Sequence, residues 1–324
     1  MSLALSDIQA AAERIRGRAV RTPLVEARAA SAATGARVFV KAEVLQRTGS
    51  FKFRGAMSRL SLLNADEKKR GVAAFSSGNH AQAIAAAACE VGTQATIVMP
   101  ADAPKLKIAN TRAHGAEVVL YDRFKEDRVV IGKRLAAERN LTLVPPFDDY
   151  RVMAGQGTIG LEIMDDARAN GLSFDAVLVP CSGGGLTAGV ATALAELSPK
   201  TQVYAVEPEK FDDTARSLAA GERIANTGTT LSICDALMTE RPGELTFPIV
   251  KRHVRALTVT DDEVLRAMRH TFFELKLVAE PGGAAAFAAL LSKKLDPAGK
   301  TVAVVLSGGN VDVEMFDRAL AAVN

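Results

Sequence analysis

The chain has 324 residues, 48% hydrophobic and 24% charged, which is enough apolar content for a large core and too much for a disordered tail. Its 40 Lys and Arg nearly balance 37 Asp and Glu for a net charge of +3, with no run of five like charges and no basic stripe interleaved with aromatics, which argues against a nucleic-acid partner. Cys89, Cys181 and Cys234 stand far apart without any CxxC spacing, which argues against a disulfide framework or a zinc site and fits a reducing cytoplasm.

The N-terminus has no long apolar leader region, and Ser6 ahead of "DIQAAAERI" reads as the cap of an amphipathic helix. No apolar run is long enough to span a membrane. "RVFVKAE" (37–43) is the first predicted strand. Next, "GSFKFRGA" (49–56) sets Lys52 between Phe51 and Phe53. Two readings stand side by side: an alternating strand with the rings inward and Lys52 in solvent, or a desolvated amine whose lowered pKa makes it a nucleophile for forming a Schiff base.

"VAAF" (72–75), "ATIVM" (95–99) and "EVVLY" (117–121) follow as strands, with the helix "HAQAIAAAACEV" after the first. "PPFDDY" (145–150) breaks the pattern and marks a crossing between two lobes. Beyond it come the strands "AVLVP" (176–180), "QVYAV" (202–206) and "VAVVL" (302–306), the helix "LTAGVATALAEL", and a long loop over "RPGELTFP" (241–248). Short β-branched runs alternating with Ala-rich helices define an α/β protein with parallel sheets covered by helices. Residues 51–150 form the smaller α/β domain, and 1–50 with 151–324 the larger.

Four polar clusters begin directly after predicted strands: "SSGNH", "CSGGGLTAG", "EPEKFDD" and "SGGN". Ligand sites in open α/β sheets gather at the carboxyl ends of parallel strands, so the four point to one cleft. "SGGGLTAGV" (182–190) runs from strand into helix, where bare N–H groups and a helix N-terminus converge on an anion such as phosphate; its bland alternative is a flexible turn. "SSGNH" suits a carboxylate through backbone and side-chain donors, and equally an N-cap by Ser77 or Asn79. In "EPEKFDD", Glu207 and Asp213 lie six positions apart, either a pair of carboxylates for a hard cation or a solvated acidic loop. "GQGTIG" (155–160) matches a dinucleotide pattern by letter but follows no strand directly, so helix-start glycines packing on a neighbour explain it.

Together "SFKFRGA", "SSGNHAQA", "AGQGTIGLEI", "SGGGLTAGV", "VEPEKFDD", "EPGGAAAFAAL" and "VVLSGGNVD" resemble the fold-type II pyridoxal-phosphate enzymes of the threonine/serine dehydratase and serine racemase family. The resemblance runs from "RTPL" to "SGGN", in the family's order. It implies two open parallel-type sheet domains of the tryptophan synthase β-like kind, with the cofactor in the cleft between them. Lys52 would carry pyridoxal 5'-phosphate as a Schiff base, Phe51 would pack beside its ring, and Asn79 would bond its 3-hydroxyl. Gly183, Gly184, Gly185 and Leu186 would cradle the phosphate, and Ser307 would meet the ring nitrogen. A hydroxyl there leaves the ring a less complete electron sink, which suits β-elimination. Lys52 would take the α-proton and the cofactor phosphate would serve the departing hydroxyl, giving a 2-oxo acid and ammonia.

Ser77 would stand on the opposite face as in racemases, and Ser76, Ser77, Asn79 and His80 would bind the substrate carboxylate. Glu207, Asp213 and the Phe211 carbonyl map onto the family's divalent site, for Mg2+ or Ca2+. The implied reaction is dehydration and deamination of L-threonine or L-serine, with serine racemase or 3-hydroxyaspartate dehydratase as alternatives. Hydroxyaspartate would need a cation beside its second carboxylate, from Arg128 or Arg151. More distant readings are a β-replacement synthase of the cysteine synthase type, a nicotinamide oxidoreductase, and a binding protein that keeps the fold without turnover.

Departures from relatives are Cys234 and Ala236 in "ICDALMTERPG", and Ser182 in place of a glycine. The chain stops 14 residues after Asn310, so no C-terminal regulatory domain is expected. The resemblance also implies a homodimer.

Overall fold

A computed structural model describes residues 2–76, 78–227 and 231–322. The strands are β1 (Leu24–Glu26), β2 (Arg37–Ala42), β3 (Val72–Phe75), β4 (Ala95–Pro100), β5 (Glu117–Tyr121), β6 (Thr142–Leu143), β7 (Ala176–Pro180), β8 (Gln202–Pro208), β9 (Val254–Val259) and β10 (Thr301–Leu306). They build a six-stranded sheet in the order β1-β2-β10-β7-β8-β9 and a four-stranded sheet in the order β5-β4-β3-β6. Among the described strands β1 pairs antiparallel with β2, and the other strand pairings are parallel.

The β10 sequence explains why both of its faces are covered. Its aliphatic residues alternate by period two: Val302, Val304 and Leu306 enter a core with the Pro281–Leu291 helix, while Ala303 and Val305 enter another with the Tyr150–Ala169 and Gly185–Leu197 helices. A third core packs the Lys52–Leu60 and Asn79–Val91 helices on the four-stranded sheet. No helix among the described residues is long and apolar enough to cross a membrane.

Each predicted strand is present, and β1, β6 and β9 are additions. β1 and β6 are three and two residues long, too short to show a period, and β9 is a half-exposed edge strand of mixed polarity. The first helix starts at Leu5, before the expected cap: Ala4 is the N-cap, and Ser6 lies inside the first turn. There the Ala4 N–H donates to the Asp7 carboxylate at 2.9 Å.

The strand reading of "SFKF" is overturned, because Lys52 opens a helix over Lys52–Leu60. "RPGELTFP" is a loop only to Thr246; Phe247 opens a short helix with Pro248 in its first turn, where a missing N–H costs nothing. "GQGTIG" lies inside the Tyr150–Ala169 helix rather than at its start. Its glycines do pack on neighbours: a Cβ on Gly155 would stand 2.6 Å from the Arg54 carbonyl oxygen, and one on Gly157 2.9 Å from that of Gly189. Bare backbone thus lets three helices touch, and this contact seats the helix that carries Lys52.

Candidate active site

Lys52 is placed by the residues before it. Ser50 bridges to Gly308 and the Phe51 N–H donates to the Ser307 carbonyl at 3.0 Å, so the start of the helix is tied to the carboxyl end of β10. The Lys52 amine is half-buried, donates to the Pro146 carbonyl at 2.8 Å and lies 5.1 Å from the Phe51 ring centroid. Burial, and secondarily the positive charge of Arg128, lower its pKa to about 8. The desolvated-amine reading of "SFKF" therefore fits the geometry, although on a helix.

Two residues further on, the Arg54 guanidinium is fully buried between Glu43 at 2.8 Å and Glu162 at 2.7 Å, with Lys41 also on Glu162 at 2.6 Å. This satisfied ion cluster anchors the same helix on its other side. Removing one partner from such a cluster leaves an uncompensated buried charge.

Lys52 faces a solvent-open cleft. Phe51, Ser76, Asn79, His80, Gly183, Gly184, Gly185, Leu186 and Ser307, all expected site residues, line it with Lys52. The Gly185–Leu197 helix begins there without a side-chain cap, its N-cap Gly184 at φ 89°, so its first N–H groups are open to an anion. A Cβ on Gly183 would lie 2.3 Å from the Phe147 ring, which holds the turn to bare backbone. Thr246 Oγ1 donates to the Gly183 carbonyl at 2.6 Å, and the Asp148 carboxylate accepts the N–H groups of Glu244 and Leu245 at 2.9 and 2.8 Å. The two Pro-containing loops are thereby stitched together around the cradle.

In "SSGNH" the N-cap is Gly78, so Asn79 is a helical residue and does not cap by its side chain. Ser76 Oγ accepts the Gly78 N–H at 3.1 Å. His80 Nε2 lies 3.1 Å from the Val144 carbonyl, an acceptor only, so Nε2 carries the proton, and Nδ1 has no partner among the described residues. Burial, then the charge of Lys52, lower the His80 pKa to about 3, so the imidazole is neutral. Its only side-chain N–H is engaged, and a carboxylate in this loop would draw on backbone N–H groups rather than on the imidazole. Ser77 lies outside the described residues.

Three of the four polar clusters meet in the cleft and "EPEKFDD" does not. Glu207 and Asp213 are fully buried behind the cradle, where Cys181 Sγ lies 3.6 Å from Thr214 Oγ1. The Glu207 carboxylate accepts the N–H groups of Thr214 and Ala215 at 3.0 Å each. Asn226 donates to Asp213 Oδ1 at 2.7 Å, whereas Oδ2 is buried without a partner among the described residues. Burial pushes both carboxyls above the usual range, with Asp213 adding to the effect on Glu207. Phe211 is half-buried between them in sequence. Among the described residues no three His, Cys, Asp or Glu side chains cluster as a metal site, so any cation would rest on two carboxylates, a carbonyl and water.

The cleft contains residues that sequence reasoning did not assign: Lys107, Phe147, Asp235 and Glu280. Glu280 lies inside the quoted "EPGGAAAFAAL", so its motif was visible and its role was not. Lys107 donates to Asp235 at 3.0 Å and to Glu280 at 3.2 Å. Arg128 also lines the cleft, while Arg151 is exposed on the Tyr150–Ala169 helix and does not. Ala236 is in the wall, and Cys234 is buried. Ser182 Oγ bonds Thr239 Oγ1.

A lysine of depressed pKa, an uncapped Gly-rich helix start and a hydroxyl at the end of the central strand make a site for a phosphorylated aldehyde. Comparison with known proteins agrees: the profile of the family described as "Pyridoxal-phosphate dependent enzyme" matches residues 15–308, and the chain belongs to that family. Over 315 residues it is 46% identical to an L-threo-3-hydroxyaspartate ammonia-lyase of Pseudomonas sp, covering 97% of each chain. It is 41% identical to the catabolic L-threonine dehydratase of Escherichia coli strain K12, covering 100% of this chain and 98% of that one. The crystal structure of a T.th. threonine deaminase superposes with a TM-score of 0.89 at 44% identity, covering 95% of this chain and 99% of that one.

Proposed function

We propose that this protein is a pyridoxal-phosphate-dependent ammonia-lyase that dehydrates and deaminates L-threonine and L-serine to 2-oxobutanoate and pyruvate with release of ammonia. The observation that carries the reading is the half-buried Lys52 amine, pKa lowered to about 8, in one cleft with an uncapped glycine cradle. The named relatives support the reaction class.

When bound, the cofactor supplies an electrophilic aldehyde and an electron-withdrawing ring. Lys52 is the residue we assign to that aldehyde, Gly183 to Leu186 to its phosphate, Phe51 and Asn79 to its ring, and Ser307 to the ring nitrogen. Ser307 offers a hydroxyl, which does not hold that nitrogen protonated as a carboxylate would. The backbone N–H groups of Asn79 and His80, at the start of the Asn79–Val91 helix, orient the substrate carboxylate, since those of Ser76 and Gly78 are already donated to the Val98 carbonyl and to Ser76 Oγ. The Lys52 amine, neutral once released, takes the α-proton. A proton, balanced by the one Lys52 takes from the α-carbon, goes to the departing β-hydroxyl, which leaves as water; hydrolysis then takes up one water and gives the 2-oxo acid and ammonia. Ser77 is the residue that would return a proton from the opposite face, making racemisation a side reaction. The test is a panel of threonine, serine of both hands and hydroxyaspartate, read as 2-oxo acid; no product from threonine or serine would refute the assignment.

One observation favours a second substrate. Arg128 lines the cleft beside Lys52, a cation suited to a second carboxylate, and the Pseudomonas relative is named for threo-3-hydroxyaspartate. Glu207, Asp213 and the Phe211 carbonyl suit Mg2+ or Ca2+, Asp213 Oδ2, which has no partner among the described residues, being the atom a cation would satisfy. The same reading takes 51–150 as the smaller domain, and carries a homodimer and a cytoplasmic location.

A further inference from the structure

We infer that Glu280 and Lys107 are positioning residues that fix which end of the Asn79 carboxamide faces the ligand in the cleft; the inference rests on the reading of that cleft as the cofactor site. A carboxamide has four hydrogen-bonding positions. Two are used within the wall: Asn79 Nδ2 donates to Glu280 Oε1, and Asn79 Oδ1 accepts from Asn310 Nδ2 at 2.9 Å. One N–H and one lone pair remain for a bound molecule.

An ionised carboxylate only accepts, so Nδ2 must face Glu280; a flipped Asn79 would set oxygen against oxygen in a buried site. Asn310 is fixed in turn, because its Nδ2 also donates to the Thr48 carbonyl at 2.8 Å. Lys107 completes the device. Glu280 is 1% exposed, and burial pushes its carboxyl above the usual range; the Lys107 ammonium 3.2 Å from Oε2 opposes that push and favours the ionised form, which only accepts. Asp235 holds the other side of Lys107 at 3.0 Å.

Two glycines of the conspicuous motifs make room for this pair. A Cβ on Gly308, next to Ser307, would stand 2.2 Å from Glu280 Oε1. One on Gly78, next to Asn79, would stand 2.4 Å from Lys107 Cδ. Gly78 has an extended backbone at φ 179°, so space rather than conformation demands glycine there. The "SGGN" and "SSGNH" turns are therefore shaped partly around a carboxylate and an ammonium that belong to neither.

The test is a double-mutant cycle on the full chain, read as the dissociation constant for pyridoxal phosphate by absorbance titration and as the absorption maximum of the bound form. Glu280→Ala is expected to weaken binding at least tenfold and to move the band. The same change in an Asn79→Ala background is expected to cost less than twofold, because nothing is left to orient. Glu280→Gln keeps the size but donates as readily as it accepts. It serves the same cycle if the alanine variant does not fold, with an expected loss of threefold or more that vanishes on Asn79→Ala. Equal losses in both backgrounds, or none in the first, would overturn the role. Failure of the unaltered chain to bind pyridoxal phosphate would instead refute the cofactor reading itself.

Discussion

The Lys52 amine and the Pro146 carbonyl oxygen lie 2.8 Å apart, joining the start of one helix to the loop that follows β6. The bond aims the lysine at the cleft. At a pKa of about 8, roughly one such amine in ten is neutral at pH 7, against about one in three thousand for an ordinary lysine. Arg128 is the charged side chain behind part of that shift.

Replacing Arg128 by Gln removes a like charge, which favours the protonated amine and raises the Lys52 pKa. Cofactor capture by the apoprotein should then reach its alkaline plateau at higher pH than in the parent. Stopped-flow absorbance across pH 6 to 10 measures this, and an unmoved or acid-shifted profile would show that Arg128 does not act on Lys52.

The same arginine bears on substrate choice. A charge-assisted hydrogen bond contributes about 1.5–3 kcal/mol, so Arg128→Met should cost about 10- to 100-fold in kcat/KM for threo-3-hydroxyaspartate relative to threonine. Equal losses on both substrates would assign the residue to something they share.

Behind the cradle, Glu207 and Asp213 should take a divalent cation. Adding Mg2+ or Ca2+ at about 100 times its Kd should stabilise the fold by about 2.7 kcal/mol, seen as a rise in Tm. Glu207→Gln with Asp213→Asn should abolish that rise. A rise that survives the double change would place the ion elsewhere.

Gly155→Ala tests how the Lys52 helix is seated. The new methyl would meet the Arg54 carbonyl oxygen at 2.6 Å, backbone that has no room to retreat. Overpacking of this kind costs about 1–3 kcal/mol, to be read as a lower Tm together with weaker cofactor binding. Gly171→Ala is no matched control, because Gly171 sits at φ 61° in the left-handed region.

The strands were legible because period-two aliphatics such as those of β10 follow directly from burial on both faces. Lys52, the glycine cradle and Ser307 were legible as motifs after strands. Two kinds of feature were not. "SFKF" alternates like a strand, and partners distant in sequence, among them Ser307 bonded to Phe51 and Glu162 bonded to Arg54, hold Lys52 at the start of a helix instead. Glu280, Lys107 and Asn79 likewise meet from three separate helices or their ends, and no local pattern announces a carboxylate whose partner lies 173 residues distant. "GQGTIG" shows the converse, a strong pattern whose cause is helix contact.

The most direct measurement is borohydride reduction of the yellow, cofactor-loaded protein followed by peptide mapping. The label should fall on Lys52 alone, and Lys52→Ala should be colourless and inactive. A label on any other lysine, or a Lys52→Ala protein that still turns threonine, serine or hydroxyaspartate into a 2-oxo acid, would contradict the assignment.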